Sequence, residues 1–239
     1  MVQLQTLIDS LYCWAPPELA APWDSIGLQI GDPNAPINAI HLSLDVDLTV
    51  LNILKTQPID LVITHHPIFF KPIASINTTD DMGQIISTFI TTNTHLLSLH
   101  TNLDAAVGGV NDALLEQLGF NREDGLPIDD EFGRYFQLST PRSVAELATI
   151  MPARVVGAQQ DRVSSVAVLA GSGHGTLKRV KALGINCFIT GELTYHDEVY
   201  CELNGITAIL LGHKESEMMI LPKIKEKLIQ LDTQLTVTL

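Results

Sequence analysis

Three cysteines in 239 residues are too few and too scattered to staple a fold. Cys13, Cys187 and Cys201 form no CxxC pair, so the sequence indicates neither a thiolate zinc site nor a disulfide framework. A reducing compartment, the cytoplasm, is the expected location. Basic residues are also scarce: 14 Lys and Arg stand against 27 Asp and Glu, for a net charge of -13. No run of them makes an extended patch, and so acidic a chain repels phosphate backbones, which leaves nucleic acid out of the expected partners. No apolar run approaches the roughly 20 residues that span a bilayer. The N-terminal MVQLQTLIDSLYCW lacks a basic n-region and an unbroken apolar centre; Leu4, Leu7, Ile8, Leu11 and Tyr12 follow helical spacing, so a helix is expected there rather than a signal peptide. Only 17% of residues are charged, whereas 46% are hydrophobic, which excludes a disordered chain and supplies a sizeable core.

Short apolar runs bounded by Gly, Pro, Asn or Asp alternate with helical runs. Strands are expected at 39–44, 60–64, 95–99, 134–138, 163–171, 186–190, 206–212 and 235–239. Helices are expected near 3–13, 47–56, 82–92, 110–118, 143–150, 176–183, 195–203 and 215–230; Ser143 and Glu146 have capping-box spacing. This alternation predicts an α/β fold with buried parallel strands. Two stretches share a layout of strand, polar tip, helix, strand, polar tip: DLVITHHP through HLLSLHTNLD, and NCFITGE through TAILLGHKESE. They suggest two similar α/β lobes facing each other with converging tips, one over residues 1–125 and one over 126–239. The polar segment 121–142, broken by Gly and Pro, is the expected connection.

The polar tips carry the chemistry. In DLVITHHPIFF an apolar strand runs into His65 and His66. Successive strand residues point to opposite faces, so two adjacent imidazoles converge only where the strand has ended, and Pro67 supports that end. Ligands in open α/β sheets bind beyond the carboxyl ends of the strands. LHTNLD places His100, Asn102 and Asp104 at a second tip, where an Asx turn or helix cap is the alternative use of Asp104. GHKESE places His213 and Glu217 at a third, one helical turn apart on one face, where a solvated helix start is the alternative. Taken as His65, His66, Asp104, His213 and Glu217, the tips offer three imidazoles and two carboxylates, a donor set suited to Zn, Fe, Mn, Co or Ni rather than to Ca or an Fe–S cluster. Five ligands exceed what one catalytic ion takes, so two divalent ions are expected, about 3.5–4 Å apart and sharing a carboxylate. Glu217, with the longer reach, is the expected bridge.

The motifs PWDSIGLQIGD, VITHHPIFF, LHTNLDAAVGGVNDALLEQLG, GSG, FITGELTYH and ILLGHKESE run in order across residues 22–217. As a set they resemble the GTP cyclohydrolase 1 type 2 homologue family of di-metal proteins, in its short form without an inserted domain. The resemblance implies two α/β lobes, a dinuclear metal site in the cleft between them and a toroidal homohexamer. It carries the metal ligands onto His65, His66, Asp104, His213 and Glu217, the five already selected. It also implies a hydrolase that opens the ring of GTP with loss of formate. Ser25 stands where the family usually has Asn.

Further candidates surround this set. Glu192 and His196, in TGELTYH, end a strand and are candidate acid/base groups, with a structural role the alternative for His196. His100 is expected to orient a ligand from behind the metals. GSGHGTLKR (171–179) opens a helix with glycines, either as a tight turn or as an anion cradle; it lacks the GK[ST] of a P-loop. Lys71, Lys178 and Lys214 are cations available to a triphosphate, and His41 and His95 are assigned no function. The motifs leave two other readings open: hydrolysis of another small molecule, such as a phosphoester or cyclic amide, and a ring-shaped protein that binds metal without catalysis.

Overall fold

The run LVIT is buried at every position and forms the central strand Leu61–Thr64. It pairs in parallel with Ala39–Ser43 on one side and His95–Ser98 on the other. A strand flanked this way is covered on both faces, which is why it reads as continuous apolar sequence rather than alternation. Thr236–Thr238 adds a parallel edge beside Ala39–Ser43, and Gly27–Ile30 closes the other edge in antiparallel fashion, completing a five-stranded sheet. The helices Leu48–Thr56 and Asp81–Thr91 begin at Asp47 and Asp80, whose side chains accept from the backbone N–H of Val50 and Gly83. Their inner residues Val50, Leu54 and Phe89 share a core cluster with Val62 and Leu96.

The computed structural model of the chain describes residues 1–129, 132–158 and 160–239. It packs as two units, Met1–Ala106 with Ile220–Leu239, and Val107–Met219. The second unit holds a six-stranded sheet in the order Leu126–Asp129, Phe132–Ser143, Arg162–Ser172, Cys187–Glu192, Thr207–Leu210, Arg154–Gly157. The strands Arg162–Ser172, Cys187–Glu192 and Thr207–Leu210 are parallel, and the flanking pairings are antiparallel. Phe188, Ala208, Val180 and Cys201 lie in its core. Burial pushes the thiols of Cys187 and Cys201 up to about 12 and about 11, so neither is a thiolate at neutral pH.

The chain is thus mixed α/β, with a parallel β-α-β unit in each part: Leu61–Thr64 to His95–Ser98 around Asp81–Thr91, and Cys187–Glu192 to Thr207–Leu210 around Tyr195–Leu203. Three expectations are corrected. The unit division falls at 106/107 and again at 219/220 instead of at 125/126, because the C-terminal strand returns to the first sheet. The segment 121–142 is not a connection. It is a short 3-10 turn, Arg122–Asp124, followed by the antiparallel edge strand Leu126–Asp129 and the start of its neighbour Phe132–Ser143 in the second sheet, with residues 130 and 131 outside the described residues. The helix expected at 215–230 is two helices, His213–Glu217 and Ile220–Leu231. Pro222 explains the restart, since proline lacks an N–H and is tolerated in the first turn of a helix but not in its interior.

Candidate metal centre

In the first unit the backbone keeps bonding past the end of Leu61–Thr64. His65 and His66 donate their N–H groups to Ser43 and Leu44, and the Thr64 hydroxyl donates to the His66 carbonyl at 2.8 Å. The turn so fixed brings both rings to one side, with centroids 4.9 Å apart. The His100 ring completes the group, 5.1 Å from His65 and 5.5 Å from His66. One nitrogen from each of the three lies within 4.8 Å of the others, an arrangement that can hold a metal ion. Asp104, on the short helix Thr101–Ala105, sets its Oδ1 3.4 Å from His65 Nε2.

Each ring is oriented from behind. His65 Nδ1 donates to the Leu99 carbonyl at 2.8 Å, His66 Nδ1 to Asp45 at 2.8 Å, and His100 Nδ1 to Asp24 at 2.9 Å. A carbonyl or carboxylate oxygen only accepts, so Nδ1 carries the proton in all three and Nε2 is the nitrogen left available to an ion. Metal-binding histidines are held in this way. The Asp24 side chain is fully buried. It accepts from the Thr101 N–H at 3.0 Å, from the Thr101 hydroxyl, and from the Ser25 N–H at 2.8 Å. Burial pushes its carboxyl up, but the bonds from His100 and Thr101 outweigh this and hold it down at about 2.

In the second unit, His213 and Glu217 share the helix His213–Glu217, with Nε2 and Oε1 3.2 Å apart. His213 Nδ1 donates to Glu192 at 3.0 Å. The Glu217 bond raises the His213 pKa, burial works against it, and Glu192 adds to the rise, leaving it at about 9. Two strand-tip glycines make room for this helix. A Cβ on Gly171, which has φ +66°, would sit 2.3 Å from Glu217 Oε1, and one on Gly191 would meet Ser216 Oγ at 2.6 Å. Ser216 Oγ accepts from the Gly171 N–H and donates to the His213 carbonyl, tying helix to strand.

Of the residues expected from sequence, His65, His66 and Asp104 come together in one unit, and His213 and Glu217 in the other. His100 was expected behind the ligands and instead joins the imidazole group. Glu192 is the partner of His213. His196 is exposed on the helix Tyr195–Leu203, its ring 5.4 Å from that of Tyr195, and it belongs to neither donor group. Asp24 and Asp45 went unnoticed; the Asp in PWDSIGLQIGD was the available sign. His95 and His41 have structural partners, the Asp32 N–H and the Thr238 hydroxyl. GSGHG forms a turn closed by the Thr176 N–H on the Gly173 carbonyl.

The donor set suits a transition-metal ion: imidazoles with fixed tautomers, carboxylates, and no thiolate among them. The relatives of the chain point the same way as its motifs. A 32% identical relative from Clostridium perfringens, matched over 95% of this chain and 91% of its own length, is named GTP cyclohydrolase 1 type 2 homolog. A Helicobacter pylori (strain J99) protein, 29% identical over 91% of this chain and 88% of its own length, is named GTP cyclohydrolase 1 type 2. Among solved structures, reduced HcgD from Methanocaldococcus jannaschii superposes with a TM-score of 0.88 at 27% identity, covering 99% of this chain and 97% of its own. The model of the family Duf34/NIF3 (NGG1p interacting factor 3) matches residues 2–239, so this chain, strand tips and all, belongs to the DUF34/NIF3 family.

Proposed function

We propose that the protein is a metal-dependent hydrolase of a small molecule, with GTP ring opening and formate release the first reaction to test. In this reading the two units face each other as lobes. His65, His66 and Asp104 from one, and His213 and Glu217 from the other, hold two divalent ions, with Glu217 as the bridge; the family's toroidal homohexamer is the proposed assembly. The observation that carries the reading is the shared lock on the histidines. His65, His66 and His213, the three proposed imidazole ligands, each have Nδ1 held by an oxygen acceptor, which turns Nε2 into the ligand nitrogen, and His100 beside them is held the same way.

Divalent ions in such a centre would polarise a substrate oxygen and make water acidic enough to react near neutral pH. The chain's own groups supply the rest. Asp24, Asp45 and Glu192 hold the imidazoles in orientation. Glu192, whose carboxylate is 56% exposed, is the group we assign to proton transfer, because it can reach solvent while bonded to His213. His196 takes no part in this reading. The H. pylori relative's name supports GTP as the first substrate.

The test compares metal-loaded wild type with His65→Ala for formate release from GTP, with metal content measured on both. Formate from wild type and a loss of at least tenfold in the variant is the expected result. Equal rates would mean a contaminating activity. No formate from a wild type carrying two ions per chain would remove the cyclohydrolase and leave a metal-binding protein.

A further inference from the structure

The imidazole group has an aromatic rim that the metal reading does not use. Trp23 is 63% exposed and Phe70 50% exposed, and the two stand together around one imidazole. Both rings meet the His100 ring edge to face, at centroid distances of 6.0 and 5.7 Å. Trp23 directly precedes Asp24, which holds His100, and Phe70 follows the His65–His66 tip by four residues. The rim is therefore built from the same two segments that build the donor group.

Those segments also enclose a pocket of about 400 Å³, lined by Ser25, Leu28, Gln29, Phe69, Lys71 and Ile73 among others. Gln29 fixes its wall. Its Nε2 donates to the Ser25 carbonyl at 2.8 Å, and its Oε1 accepts from the Phe69 N–H at 3.4 Å. Lys71 is exposed at this pocket and, among the described residues, has no carboxylate within ion-pair distance. In a chain of net charge -13, a cation left unneutralised beside an apolar pocket is a specific feature. The segment from residue 65 to 80 has no helix or strand, although it carries the exposed Phe70, Ile73 and Ile76. Loops longer than about 12–15 residues without secondary structure are uncommon in compact domains and tend to be functional.

We propose that this rim and pocket recognise a planar heteroaromatic ring bearing an anionic group, a nucleotide in chemical terms. Trp23 and Phe70 contact the ring, and Lys71 takes the anion. The quadrupole of each indole or phenyl face suits a flat base, since every base presents a π-face to stack on. The proposal rests on the metal-centre reading for the position of the reacting atoms, but ring and anion binding are measurable without turnover.

The experiment measures binding of GTP, guanosine and inorganic triphosphate to the metal-loaded full chain by calorimetry. Wild type, Trp23→Leu, Trp23→Phe, Phe70→Leu and Lys71→Gln are compared, with metal content and assembly mass determined on the same samples. The two leucine variants are expected to weaken GTP and guanosine about tenfold each, without changing triphosphate binding. Trp23→Phe should retain most of the affinity. Lys71→Gln should weaken GTP and triphosphate and leave guanosine unchanged. Absence of nucleotide binding by metallated wild type, or unchanged affinity in both leucine variants, would overturn the proposal. So would a fall in metal content in those variants, which would make the rings packing for His100, or a change in assembly mass with affinity intact, which would make the rim a subunit contact. Failure of the formate assay with this binding pattern preserved would remove the cyclohydrolase reading alone.

Discussion

At the scale of single residues, Asp24 is the most informative side chain in the protein. It is buried, ionised, and committed to His100 and Thr101. Replacing it by Asn keeps the shape and removes the charge that fixes the His100 tautomer. Asp24→Asn is expected to weaken metal binding about 10–100-fold, measured by competition with a chelator; unchanged affinity would show that the Asp24–His100 pair does not act on the centre. Gly171 makes a second test. Alanine there meets both an unfavourable positive φ and the Glu217 carboxylate. Gly171→Ala should cost about 1–3 kcal/mol in chemical unfolding, and lower metal content as Glu217 is displaced. The five proposed donors stand out in the sequence because each follows an apolar run at a strand tip. Asp24 does not, because it precedes its strand, and its partner His100 lies 76 positions away. Trp23 and Phe70 were hidden for a related reason: a large apolar residue in a sequence is assigned to the core unless something shows it is exposed.

At the scale of elements, the edge strand Thr236–Thr238 is held by more than its ladder. The His41 Nδ1 lies 2.9 Å from the Thr238 hydroxyl, which also reaches the Ile40 carbonyl. Burial lowers the His41 pKa from 6.5, against an opposing pull from Asp47. The neutral ring therefore contributes stability that is complete above pH 6.5, the unfolded value, and is lost as pH falls through the lower folded value. Unfolding free energy should decline as pH drops from about 7 to 5, and His41→Asn should flatten that slope; an unchanged slope would place the dependence elsewhere. The strands expected from sequence all form. Those it missed are the two-residue pair Val2–Gln3 and Pro36–Ile37 and the four-residue edge strands Gly27–Ile30, Leu126–Asp129 and Arg154–Gly157. They are short, and apart from the buried Ile37 and Ile128 most of their apolar residues are only partly covered, so local pattern gives them little weight beside the buried LVIT. The division of the last helical run was missed because its apolar spacing continues across Met218 and Met219, and only Pro222 marks the restart.

At the scale of the whole molecule, the proposed centre distinguishes its ligands. If Glu217 bridges, Glu217→Gln should reduce the content of both ions, because a neutral amide cannot balance two dications, whereas Asp104→Asn should mainly reduce one. Elemental analysis after reconstitution reads the difference, and equal loss of a single ion in both variants would remove the bridge. A homohexamer should appear in light scattering at about six times the 26.1 kDa chain mass at micromolar concentration, and a monomer mass would contradict it. The α/β class was legible from alternation alone. The unit boundary was not, because the pairing of Thr236 with Ala39 joins opposite ends of the sequence and leaves no mark near residue 125.

That return has a consequence for biogenesis. The second unit is an insertion, since the flanking segments 1–106 and 220–239 pack together around the first sheet. During synthesis, the Ala39–Ser43 strand emerges without its outer neighbour and waits for residues 107–219 to be made, roughly 6–23 s at bacterial or eukaryotic elongation rates. Throughout that interval an apolar strand presents an open row of backbone donors and acceptors, the usual template for chain-to-chain pairing. The nascent first unit is thus the aggregation-prone species of this protein, and shielding by a chaperone would matter most before the last strand arrives.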